Sequence, residues 1–322
     1  MYKRRALLTL LAAALCGQVL AADDYPNRPL KLVVPFAPGS ATDTLGRIVA
    51  QGLSEKLGQP VVVEPKPGAG TSIGAQAVEN SPADGYTILL GSNATFAVNS
   101  ILYKKLPYDP ASGFKFIAAT GGMPSFLIVS SNSKYKSLAD FLKDAKDRPG
   151  RVSYASSGVG STGHLVGKVL ENAAGVELLH IPYKDGPQGL TAAMTGEVDG
   201  IFYTSIAAMP LITSGRVRPL AVSTGHRTSE LPKVPTVAES GYPKFDIVGW
   251  TVLAVPRKTP QIAIDKLRGA MQSLYANPAF RAKLEALGMQ TQNLSGGELD
   301  AFIAKERERM IEVAKRADIK PE

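Results

Sequence analysis

Before its hundredth residue the chain passes three times from a short apolar, β-branched run into a loop of small and polar residues. LKLVVPF (30–36) enters APGSATD, PVVVE (60–64) enters PKPGAGTSIG, and YTILL (86–90) enters the tip GSN. After the first loop, Leu45, Ile48, Val49, Leu53 and Leu57 keep helical spacing up to Gly58, and a second helix is expected over Ala75–Asn80. Repeated strand–loop–helix units leave few arrangements open. The strands run parallel, helices cover them, and the loops collect at the strands' C-terminal edge, where α/β folds hold ligands.

The same grammar returns at Val152–Gly167, VSYASSGVGSTGHLVG: a strand, a turn of Gly, Ser and Thr, and a helix opening near His164. Small residues there admit a ligand to the backbone, hydroxyls donate hydrogen bonds, and a helix start offers free N–H groups and a positive dipole end. Further strands are expected at Phe114–Ala118, Ser125–Ser130, Val176–Tyr183, Val198–Tyr203, Val217–Ser223 and Asp246–Pro256. Gly121-Gly122-Met123-Pro124 reads as a passage into a second lobe. Helices are expected at Leu138–Ala145, around Gly189–Met194, and over Pro260–Leu274, Pro278–Leu287 and Gly297–Ala314. Sliding the chain by 121 residues sets Asp43 on His164, Ser40 on Ser161, Glu64 on Asp185 and Gly68 on Gly189. That echo favours two α/β lobes, each offering one loop.

At 322 residues the chain exceeds what one core usually serves. Met1–Ala21 has the basic start, apolar run and small-residue end of a secretory signal peptide, cleaved after about Ala21. The formal charge of +8 falls to +5 once Lys3, Arg4 and Arg5 leave with it. A modest cationic excess without a basic, aromatic-rich cluster suits anionic small molecules and argues against nucleic acid. The single cysteine, Cys16, lies in the leader, so the mature chain has no thiol to pair. Leu15 before it fits a lipoprotein site poorly. The expected location is the periplasm, with no membrane anchor downstream.

Gly158–Gly163 matches the dinucleotide pattern G-x-G-x-x-G, with Asp185 a plausible ribose acid. Against it stand its mid-chain position, export, and a loop crowded with Ser156, Ser157, Ser161 and Thr162, better suited to a carboxylate. A serine-type hydrolase using Ser161 and His164 stays open, with Asp43 or Asp199 as its acid, although no G-x-S-x-G elbow is present. The three histidines form no zinc-ligand pattern. Pro67–Gly74 reads mainly as a packed turn, and Pro38–Asp43 as a helix cap, with Thr42 or Asp43 bonding the exposed N–H groups, that doubles as a second cradle.

The ordered run VVPFAPGSATDTLGR, VEPKPGAG, DGYTILLGSNATFAVN, YASSGVGSTGHL, HIPYKDGPQGL, GEVDGIFYTS, GRVRPLAVST and VPTVAESGYP resembles the substrate-binding proteins of tripartite tricarboxylate transporters, the Bug family. The likeness spans essentially the whole mature chain. It implies a two-lobed α/β Venus-flytrap fold with two crossovers. Lobe 1 would comprise residues 22–123 and 225–322, and lobe 2 residues 124–224. It implies a monomeric, cofactor-free binder that is not an enzyme and delivers a small carboxylate to a membrane permease. By the same resemblance, Ser157, Gly160, Ser161, Thr162 and His164 grip a carboxylate. Phe36, Ala37, Gly39, Ser40 and Asp43 close over it, and Ser92, Asn93, Asp199 and Tyr203 line the remainder. With no acid at Tyr203, a di- or tricarboxylate or an aromatic acid is expected rather than an amino acid.

Overall fold

The computed structural model describes residues 25–316; the expected leader, with Cys16 and the cleavage site at Ala21, lies outside them. The first repeat gives β1 (Leu30–Val34) and α1 (Ala41–Leu57), the second β2 (Val61–Pro65) and α2 (Ser72–Glu79), and the third β3 (Thr87–Ser92). β1 pairs in parallel with β2 and β3, as the strand–loop–helix grammar requires. α1 buries Leu45, Val49 and Leu53 completely against Leu30, Leu32 and Leu90, and Gly58 ends it in the left-handed conformation (φ 67°).

β4 (Phe114–Ser130) corrects the expectation of two strands separated by a Gly-Gly-Met-Pro break. It runs unbroken through that segment. Its first half pairs antiparallel with β9 (Val248–Pro256), using two register shifts and Gly121 at φ 114° to bend. At Pro124, which has no N–H to give, that ladder ends. From Ser125 the partners become β7 (Gly200–Thr204) and β8 (Val217–Val222).

In the second half, β5 (Ser153–Ser156) pairs in parallel with β6 (Leu179–Pro182) and β7. α3 (Leu138–Asp147), α4 (Thr162–Ala174) and α5 (Gly186–Thr195) cover these strands, and α6 (Ser205–Thr213), absent from the sequence expectation, follows β7 directly. β6 is shorter than expected because only four residues find a parallel partner in β5. α7 (Gln261–Ala276), α8 (Pro278–Glu285) and α9 (Gly296–Arg316) return to the first half. The architecture is a two-lobed α/β fold built on one mixed sheet of order β2-β1-β3-β9-β4-β7-β5-β6, with β8 also on β4. The chain crosses between lobes through β4 and through the β8–β9 connection. No helix among the described residues is long and apolar enough to cross a membrane.

Candidate functional site

A cavity of about 290 Å³ lies between the lobes, where loops after β1, β2, β3, β5, β6 and β7 meet. Three helices start at its wall. Ser40 caps α1 by accepting from Asp43 N at 3.2 Å, and Ser161 caps α4 by accepting from His164 N at 3.3 Å. Asp185 caps α5 by accepting from Gln188 N at 3.0 Å. Each cap leaves other first-turn N–H groups and a positive dipole end near the cavity.

From lobe 1 come Phe36, Ala37 and Ser40, then Ser92 and Asn93 at the end of β3. The chain continues from Asn93 into a π-turn, Ala94–Val98, anchored by the fully buried Phe96 edge-on to Phe114 and Phe116. Insertions of this kind recur at functional sites. Ser92 and Asn93 are 4% and 1% exposed, and neither Ser92 Oγ nor Asn93 Nδ2 has a hydrogen-bond partner within the protein. Buried polar atoms are rarely left this way unless something else satisfies them. Asn93 Oδ1, in contrast, accepts from Thr162 Oγ1 of lobe 2 at 3.3 Å. Lobe 2 adds Ser157, Gly160, Ser161, Thr162 and Tyr203, all expected from the sequence.

Four expected residues do not face the cavity. Gly39 and Asp43 sit behind the first loop, where Asp43 Oδ2 accepts from Gly39 N at 2.9 Å and Arg47 clasps the carboxylate at 3.0 and 3.2 Å. His164 sits behind the second loop, its Nδ1 accepting from Gly160 N at 3.2 Å. Asp199 is remote from the cavity, accepting from Ser153 N and Oγ at 2.9 and 3.0 Å and from Tyr135 OH at 3.2 Å. Its short side chain, one residue before β7, ties that strand to β5 instead of reaching the ligand side. The hydrolase alternative loses its geometry for the same reasons. Ser161 Oγ is held by a backbone N–H, the imidazole Nδ1 by another, and neither acid stands behind the ring.

The sequence underrated two contributors. Pro67–Thr71 reaches the cavity on a run of left-handed residues, Gly68, Ala69, Gly70 and Thr71 (φ 127°, 45°, 57° and 84°). Asn99 pins this loop through Nδ2 to Gly70 O at 2.7 Å, and Thr71 Oγ1 meets Thr95 Oγ1 at 2.9 Å. The two non-glycine residues there store roughly 1 kcal/mol or more of strain each, tolerable only because these bonds hold the loop. Lys184 is the one cationic side chain among the described residues lining the cavity. The only local signal for it was its place after a strand and before the cap residue Asp185.

The rings behind the second loop are stacked. His164 lies on His180 with centroids 4.3 Å apart, and His180 lies on Tyr154 at 4.9 Å. Ser156 Oγ bonds His180 Nε2 at 2.7 Å. Burial pushes His164 down to about 4 and His180 down to about 3, with the Lys168 charge adding to both and His164 itself acting on His180. Both imidazoles are therefore neutral at pH 7.

Residues 45–319 match the family model described as the tripartite tricarboxylate transporter family receptor. The protein BugT of Bordetella pertussis is 34% identical over 315 residues, spanning 96% of this chain and 95% of BugT. The chain belongs to this receptor family. Its fold matches that of R. palustris Rpa4515, solved with adipate, at a TM-score of 0.90 and 34% identity, over 93% of this chain and all of that one. MatC of Rhodopseudomonas palustris, solved with bound malate, gives a TM-score of 0.84 at 29% identity, covering 90% of this chain and 99% of its own. Bug receptors are periplasmic solute-binding proteins, not enzymes. The cavity is accordingly lined by capped helix starts, hydroxyl and amide groups and one cation, Lys184, while the Ser156–His180 contact lies behind the loop and outside the lining.

Proposed function

We propose that this receptor captures a small dicarboxylate between its lobes in the periplasm, as a monomer, and presents the closed form to the membrane permease of a tripartite tricarboxylate transporter. The observation that carries the proposal is Asn93. Its Oδ1 bonds the opposite lobe through Thr162, while its Nδ2 and the neighbouring Ser92 Oγ are buried and without partners in the protein. A carboxylate placed there takes up both donors and strengthens the contact that joins the lobes.

Hydrogen bonds to an ionised carboxylate contribute about 1.5–3 kcal/mol each, against about 1 kcal/mol for neutral pairs. A ligand drives closure only by its differential affinity for the closed state, and donors from both lobes supply that difference. The adipate and malate seen in relatives fit this chemistry. Ser157, Gly160, Ser161 and Thr162 would take one carboxylate, with Phe36, Ala37, Ser40, Ser92, Asn93 and Tyr203 enclosing the rest. Gly39, Asp43 and His164 would brace the loops from behind.

The test is a thermal-shift screen of the mature protein with adipate, malate, citrate, benzoate, aspartate and NADH, followed by calorimetry. A ligand at a hundredfold excess over its Kd stabilises the fold by about 2.7 kcal/mol, a rise of about 4 °C for a chain this size. A rise with a dicarboxylate at one-to-one stoichiometry is expected. A flat response to every carboxylate, or a response to benzoate alone, overturns the proposal.

A further inference from the structure

The two capped loops are local copies of one design. In lobe 1 Ser40 caps the helix, Gly39 precedes it at φ 78°, and Asp43, three residues into the motif, accepts the Gly39 N–H. In lobe 2 Ser161 caps the helix, Gly160 precedes it at φ 80°, and His164 accepts the Gly160 N–H. Each acceptor locks an otherwise free glycine peptide and so sets the plane of the loop that faces the ligand. Lobe 1 uses a carboxylate, neutralised by Arg47. Lobe 2 uses an imidazole. The cation one turn on, Lys168, is paired with Glu171 at 2.9 Å.

We infer that His164 is a positioning residue, whose bare Nδ1 orients the Gly160 peptide so that the lobe 2 loop receives the ligand carboxylate without the ring touching it. The surroundings fix the state this requires. The ring is 7% exposed and stacks on His180, which is held by Ser156 Oγ from the end of β5. Tyr154 closes the far side of His180, and Lys168, itself paired with Glu171, is the neighbouring charge acting on both rings. An accepting Nδ1 places the remaining ring proton on Nε2. A neutral acceptor braces the loop as Asp43 does in lobe 1 without setting a negative charge behind a bound anion. The inference rests on the proposed carboxylate site, since it assigns a role within it.

Two variants separate orientation from packing. His164→Asn keeps a short neutral acceptor but loses ring volume, whereas His164→Leu keeps apolar volume and loses the acceptor. With adipate as probe, calorimetry is expected to give His164→Asn a Kd within about threefold of the parent and His164→Leu a Kd at least about tenfold weaker. Both should retain native circular dichroism. The opposite order, with Leu binding well and Asn poorly, assigns His164 to packing and overturns the inference. A readout free of ligand separates this from failure of the carboxylate site itself. Nitrogen-15 spectra of the parent at pH 7 should show His164 with an unprotonated Nδ1, and the Gly160 amide signal should move in His164→Leu but stay in His164→Asn. A protonated Nδ1, or a Gly160 amide indifferent to both changes, also overturns it.

Discussion

Lowering the pH should destabilise this protein through two histidines before its carboxylates begin to titrate. Burial depresses His164 to about 4 and His180 to about 3, whereas an unfolded histidine titrates near 6.5. In the interval between these values the unfolded chain binds more protons than the fold, so stability is full above 6.5 and falls as pH falls. For His164 the loss reaches about 2 kcal/mol by pH 5 and stops growing near its folded value. His180 acts in the same direction, discounted for its partial exposure, giving about 2–4 kcal/mol for the pair. Carboxylates held low by their partners, such as Glu64 by Lys66 and Glu239 by Thr236 N–H and Arg227, have the opposite charge but the same sign of effect. Their contribution is lost only below about pH 4.5, so the range from about pH 7.5 to 5 isolates the histidines. Urea unfolding followed by Trp250 fluorescence and circular dichroism across that range measures the slope. His164→Asn should remove roughly half of it. A parent protein equally stable at both ends, or a variant with the parent's full slope, refutes the account of a neutral buried pair.

Asn93→Ala removes the unpaired Nδ2 together with the bond to Thr162, and dicarboxylate affinity measured by calorimetry should fall by about 2 kcal/mol, roughly thirtyfold. Gly160→Ala places a methyl carbon 2.3 Å from Leu102 Cδ1 of lobe 1 at a φ of 80°. It should hold the lobes apart, raising Kd at least about tenfold and enlarging the ligand-bound scattering radius, with the far-ultraviolet spectrum unchanged.

Much of the site was legible because its parts are local. The cap of the first loop was expected at Thr42 or Asp43 but is Ser40, because the helix begins at Ala41 and the cap must stand just before it. The echo that set Asp43 on His164 proved structurally apt, since both accept the N–H of the glycine before their cap. Their roles were misplaced because a side chain at the third helical position can equally point out to a ligand or back to its own loop. Asp199 misses the cavity for a different reason: it precedes β7, whose far end, Phe202–Thr204, lines the cavity, and there it bonds Ser153 and Tyr135.

Hydrophobic period, cap chemistry and the glycine and proline punctuation determined by themselves the α/β class, the presence of α1 and α4 though not their first residues, and the anion-seeking character of the loops. These are short-range matters of dihedral preference and unpaired backbone donors. Only the tertiary structure decided that Gly121–Pro124 is the middle of one long strand, because a strand's continuity depends on the partners that β9, β7 and β8 supply from residues far along the chain. Only it could stack His180 beneath His164, set the strained loop at Gly68–Thr71 against Asn99, and leave Ser92 and Asn93 with donors unspent. Such contacts depend on how two lobes meet, and no local pattern encodes that distance.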